Sequence, residues 1–201
     1  QGIVDGAVEI EQVYVCDYGN RAEVILKNSN KADFSKTQLE SVPTCCTGNK
    51  TLNSFFQTEE MPGVVSPIDW DYDWLFKITR FFKEDSPAHK KSFGTHSCYI
   101  SQKGQNFDSV KPIVCEDLGR HNAFDKAVGK AVCAGFDLKQ CMVFTSGRLP
   151  VDMVTKAIRA KIPILASKAV PTDSAIDLAL QSKLTLICSA YPDSADVYLD
   201  F

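Results

Sequence analysis

The chain has 201 residues, 44% of them hydrophobic, with 22 basic and 25 acidic side chains and a formal net charge of −3. That apolar content supplies a core for one large domain, or for a domain with an appended lobe, and excludes a disordered chain. The acidic balance excludes a general duplex-binding surface, and no stretch reaches the roughly 20 apolar residues of a membrane span. The first six residues lack the basic run of a signal peptide, so the expected compartment is the cytoplasm, with neither nucleic acid nor a membrane as partner.

In chain order, residues 12–16 and 21–26 alternate around the turn Asp17-Tyr18-Gly19-Asn20 and predict a β-hairpin. A turn-rich stretch, Pro43-Thr44-Cys45-Cys46-Thr47-Gly48-Asn49-Lys50, follows with almost no apolar flank. Residues 70–82 place Trp70, Trp74, Leu75, Ile78 and Phe82 on one helical face, with Ser66 or Asp69 near the cap. Residues 84–92 read as a loop leading through Phe93-Gly94-Thr95-His96 into a strand over 97–101. Strands over 112–115, 141–145, 162–167 and 184–188 then alternate with helices over 122–133, 151–160 and 174–181, the pattern of a largely parallel sheet with helices on its faces. The division this predicts is a β-rich region over 1–62 and an α/β core over 63–201.

Three strand-to-helix junctions are polar: Glu116 to His121, Thr145-Ser146-Gly147-Arg148, and Ser167-Lys168 through Thr172. In such a sheet they line up along one edge, joined by the segment after the last strand. Any one junction alone is explained by helix capping. Several together, with Arg148, Lys168, Arg120, His121 and Lys126, fit a phosphate-bearing ligand, and the density of charge over Glu116, Asp117, Arg120, His121, Asp125 and Lys126 fits a crevice network. No Walker A motif or Gly-x-Gly-x-x-Gly occurs. Neither a His-x-Glu element nor a Cys-x-x-Cys occurs, so no zinc site is expected.

Of the eight cysteines, Cys16, Cys115, Cys133, Cys141 and Cys188 lie in apolar surroundings that predict small buried hydrophobes. Cys45 and Cys46 are predicted exposed. Adjacent Cα atoms sit about 3.8 Å apart, too close for ordinary bridge geometry, so the pair favours reactivity over stapling; an incidental surface pair is the other explanation.

The run Glu116-Asp117-Leu118-Gly119-Arg120-His121-Asn122-Ala123-Phe124-Asp125-Lys126 resembles the Glu-Asp-x-Gly-Arg-His-Asn-Ala-x-Asp-Lys signature of the FdhD family of formate dehydrogenase accessory sulfurtransferases. The resemblance continues through Gly94-Thr95-His96, Ser146-Gly147-Arg148, 153–157, 162–165, Pro171-Thr172 and 184–186. It implies a cytidine-deaminase-like, three-layer α/β core without the zinc motif, with a mixed, largely parallel sheet and an N-terminal β-rich region. Because family members begin with a further β segment, it also implies that this chain starts inside the fold.

The implied function is to accept persulfide sulfur from a cysteine desulfurase and deliver it to the molybdenum bis-guanine-dinucleotide cofactor needed by formate dehydrogenase. The family's acceptor is the first cysteine of a Gly-Cys-x-x-Cys-Gly loop. In register Cys46 stands at that cysteine and Asn49 at the second, so a two-cysteine relay in that spacing is excluded and Cys45 is left as the neighbour that can substitute. The implied cofactor contacts are His96, Glu116, Asp117, Arg120, His121, Asp125, Lys126, Ser146, Arg148, Lys168 and Thr172. To these is added the segment after the last strand, here Ser189, Ala190, Tyr191, Pro192, Asp193 and Ser194 where the family often carries glycine and arginine. The oligomer expected on general grounds is a homodimer.

Overall fold

The computed structural model describes residues 9–28, 62–84 and 86–201, side chains of 83 and 84 excepted; Cys45 and Cys46 lie outside these residues. Two compact units, Gln1–Val42 and Pro43–Phe201, divide the chain. The described part of the first is the predicted hairpin: β1 (Ile10–Val15) pairs antiparallel with β2 (Ala22–Leu26), closing on Val15 opposite Ala22. Gly19, at φ 65, supplies the left-handed residue of the turn, and its N–H donates to Cys16 O at 2.8 Å.

In the second unit, helix α1 (Tyr72–Glu84) begins two residues later than its apolar stripe predicts. Neither Ser66 nor Asp69 caps it. The cap is Asp71, whose Oδ1 accepts the Trp74 N–H at 2.7 Å, while Asp69 pairs with Lys103 on the surface. The segment expected as a loop contains a one-and-a-half-turn helix, α2 (Pro87–Ser92), with proline in its first turn.

There follow β3 (His96–Gln102), β4 (Ile113–Asp117), α3 (Arg120–Cys133), β5 (Cys141–Thr145), α4 (Val151–Arg159), β6 (Ile164–Ser167), α5 (Asp173–Gln181), β7 (Thr185–Cys188) and β8 (Asp196–Leu199). The six strands form one sheet in the order β4-β3-β5-β6-β7-β8. The expectation of a largely parallel sheet is corrected: only β5-β6 and β6-β7 pair parallel, and β4-β3, β3-β5 and β7-β8 are antiparallel. The strand β8 escaped prediction because its four residues alternate exposed and half-buried without an apolar run.

Both faces of the sheet are covered. Cys98, Ile100, Val143, Leu165 and Leu186 face Phe124, Ala127, Met153, Ala157 and Ala179 from α3, α4 and α5. The alternate residues Tyr99, Phe144, Ile164 and Ile187 face Trp74, Leu75 and Ile78 of α1. This two-sided burial is why the central strands are continuous apolar runs rather than alternating ones. The buried Trp74 indole N–H donates to Ser101 Oγ at 2.6 Å, anchoring α1 to β3. Cys98, Cys141 and Cys188 are buried, as expected for the last two. Cys133, expected in the core, is exposed at the end of α3, and Cys16 and Cys115 are only half-buried, because each lies at an element end or on an edge strand.

Candidate functional site

Strand register brings the polar junctions to one edge. His96 pairs with Asp117 and Ser97 with Glu116, while Cys98 opposes Thr145, so the start of β3 lies beside the ends of β4 and β5. Parallel pairing sets Thr145 beside Ser167, and the loop after β7 joins the same edge. The loops are interlocked: Lys168 N–H donates to Thr145 O, Ala190 N–H to Ser167 O, and Ser167 Oγ to Gly147 O at 2.7 Å. Ser146 Oγ accepts the Ser97 N–H at 3.0 Å and lies 3.4 Å from His96 Nδ1. Gly147 is closely approached: a Cβ there would stand 3.0 Å from Arg120 Cβ and 3.3 Å from His96 Nδ1, so those side chains would have to give by a few tenths of an ångström.

Helix α3 starts two residues earlier than predicted, which puts Arg120 and His121 in its first turn rather than in a loop. Asp117 makes the turn. Its Oδ1 accepts from the Gly119 N–H at 3.1 Å and from the Asn122 amide, and Oδ2 meets Lys126 Nζ at 3.2 Å. Burial opposes the charge on Asp117, but these hydrogen bonds outweigh it and hold the carboxyl below the usual range. Lys126 also donates to Glu116 O at 2.8 Å, so it braces the loop. Burial first, then the charge of Arg120 and the other histidines, holds His96 below the ordinary imidazole range.

Glu116 has a structural task. Its two carboxylate oxygens accept the N–H groups of Ala88 and His89 at 3.0 and 2.9 Å, and Ser97 Oγ donates to it at 3.3 Å. The first turn of α2 is thus capped by a residue 28 positions away, since Ser86 makes no side-chain cap. This is why α2 is invisible to local sequence rules. Glu116→Ala is expected to destabilise the protein by roughly 1–3 kcal/mol through the stranded N–H groups. An unchanged urea midpoint would show that α2 stands without it.

Two polar contacts join α3 to α4 one turn apart. His121 Nε2 lies 3.1 Å from Asp152 Oδ2, and Asp125 pairs with Lys156. Sequence reasoning missed Asp152; the available signal was the four-residue spacing of Asp152 and Lys156 matching that of His121 and Asp125. Arg148 is exposed, and Lys168 Nζ lies 5.4 Å over the ring of Phe82. Thr172 is the N-cap of α5 by backbone alone, with no hydrogen bond from its side chain to the helix start, and it is exposed beside the Leu149–Pro171 bridge. After β7, Ser189 adopts φ 47, Ala190 is buried, and Tyr191 to Ser194 make a tight turn in which Tyr191 N–H donates to Ser194 O at 2.7 Å. Tyr191 and Asp193 are exposed there and Pro192 half-buried.

The geometry is that of an α/β protein whose polar strand-to-helix junctions gather at one sheet edge, the place where this class holds its ligands. The FdhD/NarQ family model matches residues 1–200, and the chain belongs to that family. It is 25% identical to the sulfur carrier protein FdhD of Listeria monocytogenes serotype 4b, over 100% of this chain and 76% of that protein. It is 28% identical to the protein of the same name from Methanothermobacter thermautotrophicus, over 93% and 69%. The fold is similar, with a TM-score of 0.71 and 24% identity, to the crystal structure of a candidate formate dehydrogenase accessory protein from Desulfotalea psychrophila, covering 99% of this chain and 71% of that one. Among the described residues no helix is long and apolar enough to cross a membrane.

Proposed function

We propose that this chain is a sulfur carrier serving formate dehydrogenase: Cys46 takes persulfide sulfur from a cysteine desulfurase, and the sheet-edge crevice receives the molybdenum bis-guanine-dinucleotide cofactor as the substrate to be sulfurated. The observation that carries this reading is the match of the family model along the chain, with relatives named sulfur carriers. In this reading His96, Arg120, His121, Ser146 and Arg148 face the cofactor's phosphates, Glu116, Asp117, Asp125 and Lys126 hold the framework, and a cytidine-deaminase-like ancestry explains the mixed sheet.

The other cysteines support Cys46 by their chemistry. A persulfide carrier must be reachable and substantially thiolate near neutral pH. Burial pushes the thiols of Cys141 and Cys188 up to about 12 and that of Cys98 well above its usual value. The strongest rival is Cys16. Desolvation opposes it, but the N–H groups of its own turn together outweigh that and draw its thiol below the ordinary value.

Incubation with a cysteine desulfurase and cysteine, followed by peptide mass mapping, decides among them. The expected result is a gain of about 32 Da, one sulfur atom, on the peptide bearing Cys46. Sulfur on Cys16 alone would overturn the assignment. A second reading, a chaperone that binds the cofactor or the dehydrogenase without moving sulfur, is favoured by Asn49 standing where the family carries its second cysteine. It predicts guanine-nucleotide binding with no added sulfur on any cysteine.

A further inference from the structure

Cys98 of β3 and Cys115 of β4 stand directly opposite each other in the antiparallel register. Residues paired in this way point to the same face of the sheet, and here both lie on the face covered by α3: Cys98 belongs to its buried cluster and Cys115 packs against that cluster. Opposed residues of an antiparallel pair hold their Cα atoms about 4.5 or 5.5 Å apart, according to whether the pair is hydrogen-bonded, and a disulfide spans either distance. Their Cβ atoms, about 4.5–5.5 Å apart, have to approach by up to roughly an ångström to close a bridge. Among the described residues β4 pairs with β3 alone, so it can make that approach without dragging a second strand. The two sulfurs are near enough that a charge on Cys115 opposes one on Cys98.

The two thiols differ in reach. Cys98 is fully buried, whereas Cys115 is half-buried on the outer strand. Burial raises both thiols, that of Cys98 well above its ordinary value, while at Cys115 the charges of Lys130 and Lys126 on α3 pull back against it. Cys115 is therefore the sulfur that meets an oxidant from solution, and Cys98 the one that resolves the product.

We infer that Cys98 and Cys115 are a redox site: they form a reversible cross-strand disulfide with a small-molecule disulfide, of the glutathione kind, as oxidant. The Cys115 thiolate attacks one sulfur of oxidised glutathione and releases the first glutathione thiolate. Cys98 then attacks Cys115 Sγ in the mixed disulfide, and the second glutathione thiolate departs. Two protein thiols lose two electrons to make one S–S bond, the S–S bond of the oxidant is reduced to two thiols, and the two protons given up by the protein go to the departing thiolates. No step involves Cys46. The bridge sits one residue pair from Ser97 and Glu116 and two from His96 and Asp117, so it ties together the strand ends that carry these side chains.

The test is incubation of the native protein with oxidised glutathione in mildly alkaline buffer, then alkylation of the remaining thiols and tryptic peptide mapping without reduction. Trypsin separates the two cysteines at Lys103. The expected product is the peptide 92–103 joined to the peptide 104–120, lighter than their sum by two hydrogen atoms and returned to the separate peptides by dithiothreitol. Cys98→Ala should leave Cys115 carrying one glutathione, a mixed disulfide with no partner to resolve it, and Cys115→Ala should leave the buried Cys98 unmodified. Free thiols at both positions in the oxidised wild type overturn the inference. So do a glutathione retained on wild-type Cys115, a bridge from Cys115 to any other cysteine, and a Cys98–Cys115 bridge that forms only after unfolding in urea. Because each of these is read from wild type, the outcome stands even if a variant fails to fold.

Discussion

Cys46→Ala is expected to abolish sulfur loading and to reduce activation of formate dehydrogenase to background, a loss of at least about 10²-fold if the thiol is the covalent carrier. Cys46→Ser should be as inactive, since a hydroxyl does not hold sulfane sulfur, whereas Cys45→Ala should retain most of the activity. The pair of variants is more informative than either alone. Vicinal cysteines share the same flanking sequence, and Asn49 stands in place of the usual second thiol, so only the difference between the two tells which sulfur atom is the acceptor. The measurement is dehydrogenase activity in cells that lack the endogenous carrier and are complemented with each variant. Full activity of Cys46→Ala would sink the assignment.

Phe144→Ala is expected to cost about 3–5 kcal/mol of stability. Phe144 is fully buried on central strand β5, with its ring centroid 5.5 Å from Phe82 of α1 and 6.3 Å from Tyr99 of β3. It faces the α1 side of the sheet, where, among the described residues, α1 supplies the helical cover and α3, α4 and α5 supply that of the opposite face. Removing a fully buried ring leaves a large cavity, which places the expected loss in the upper part of the range for large-to-small changes. Urea unfolding should show a lower midpoint at an unchanged slope. A loss below about 1 kcal/mol would mean that α1 is not seated on the sheet as described.

The two expectations differ in how far they were legible in advance. Phe144 could be assigned to the core from the apolar run of its strand, because a strand buried on both faces has no polar positions to interrupt it. The hairpin turn, the helices α3, α4 and α5, and the gathering of the junctions along one edge were legible for the same kind of reason. Hydrophobic period and turn residues are local properties, and parallel pairing of β5, β6 and β7 then places their ends together.

What was not legible depends on partners distant in the chain. The helix α2 exists in a polar stretch because Glu116 reaches back to cap it. The flanking strands run antiparallel, which the βαβ pattern of the centre cannot announce.

In the site, the types and spacing of the side chains in the run from Glu116 to Lys126 were enough to mark it as chemically unusual and to show its likeness to a family signature. Composition, hydrophobic period and that signature are carried by the order of residues alone. The division of labour within the run is not: Glu116 is taken up by α2, Asp117 and Lys126 by the turn, Asp125 by Lys156, and His121 by Asp152. Carboxylates and cations act over a few ångströms, so their roles are settled by which neighbours folding brings within that distance.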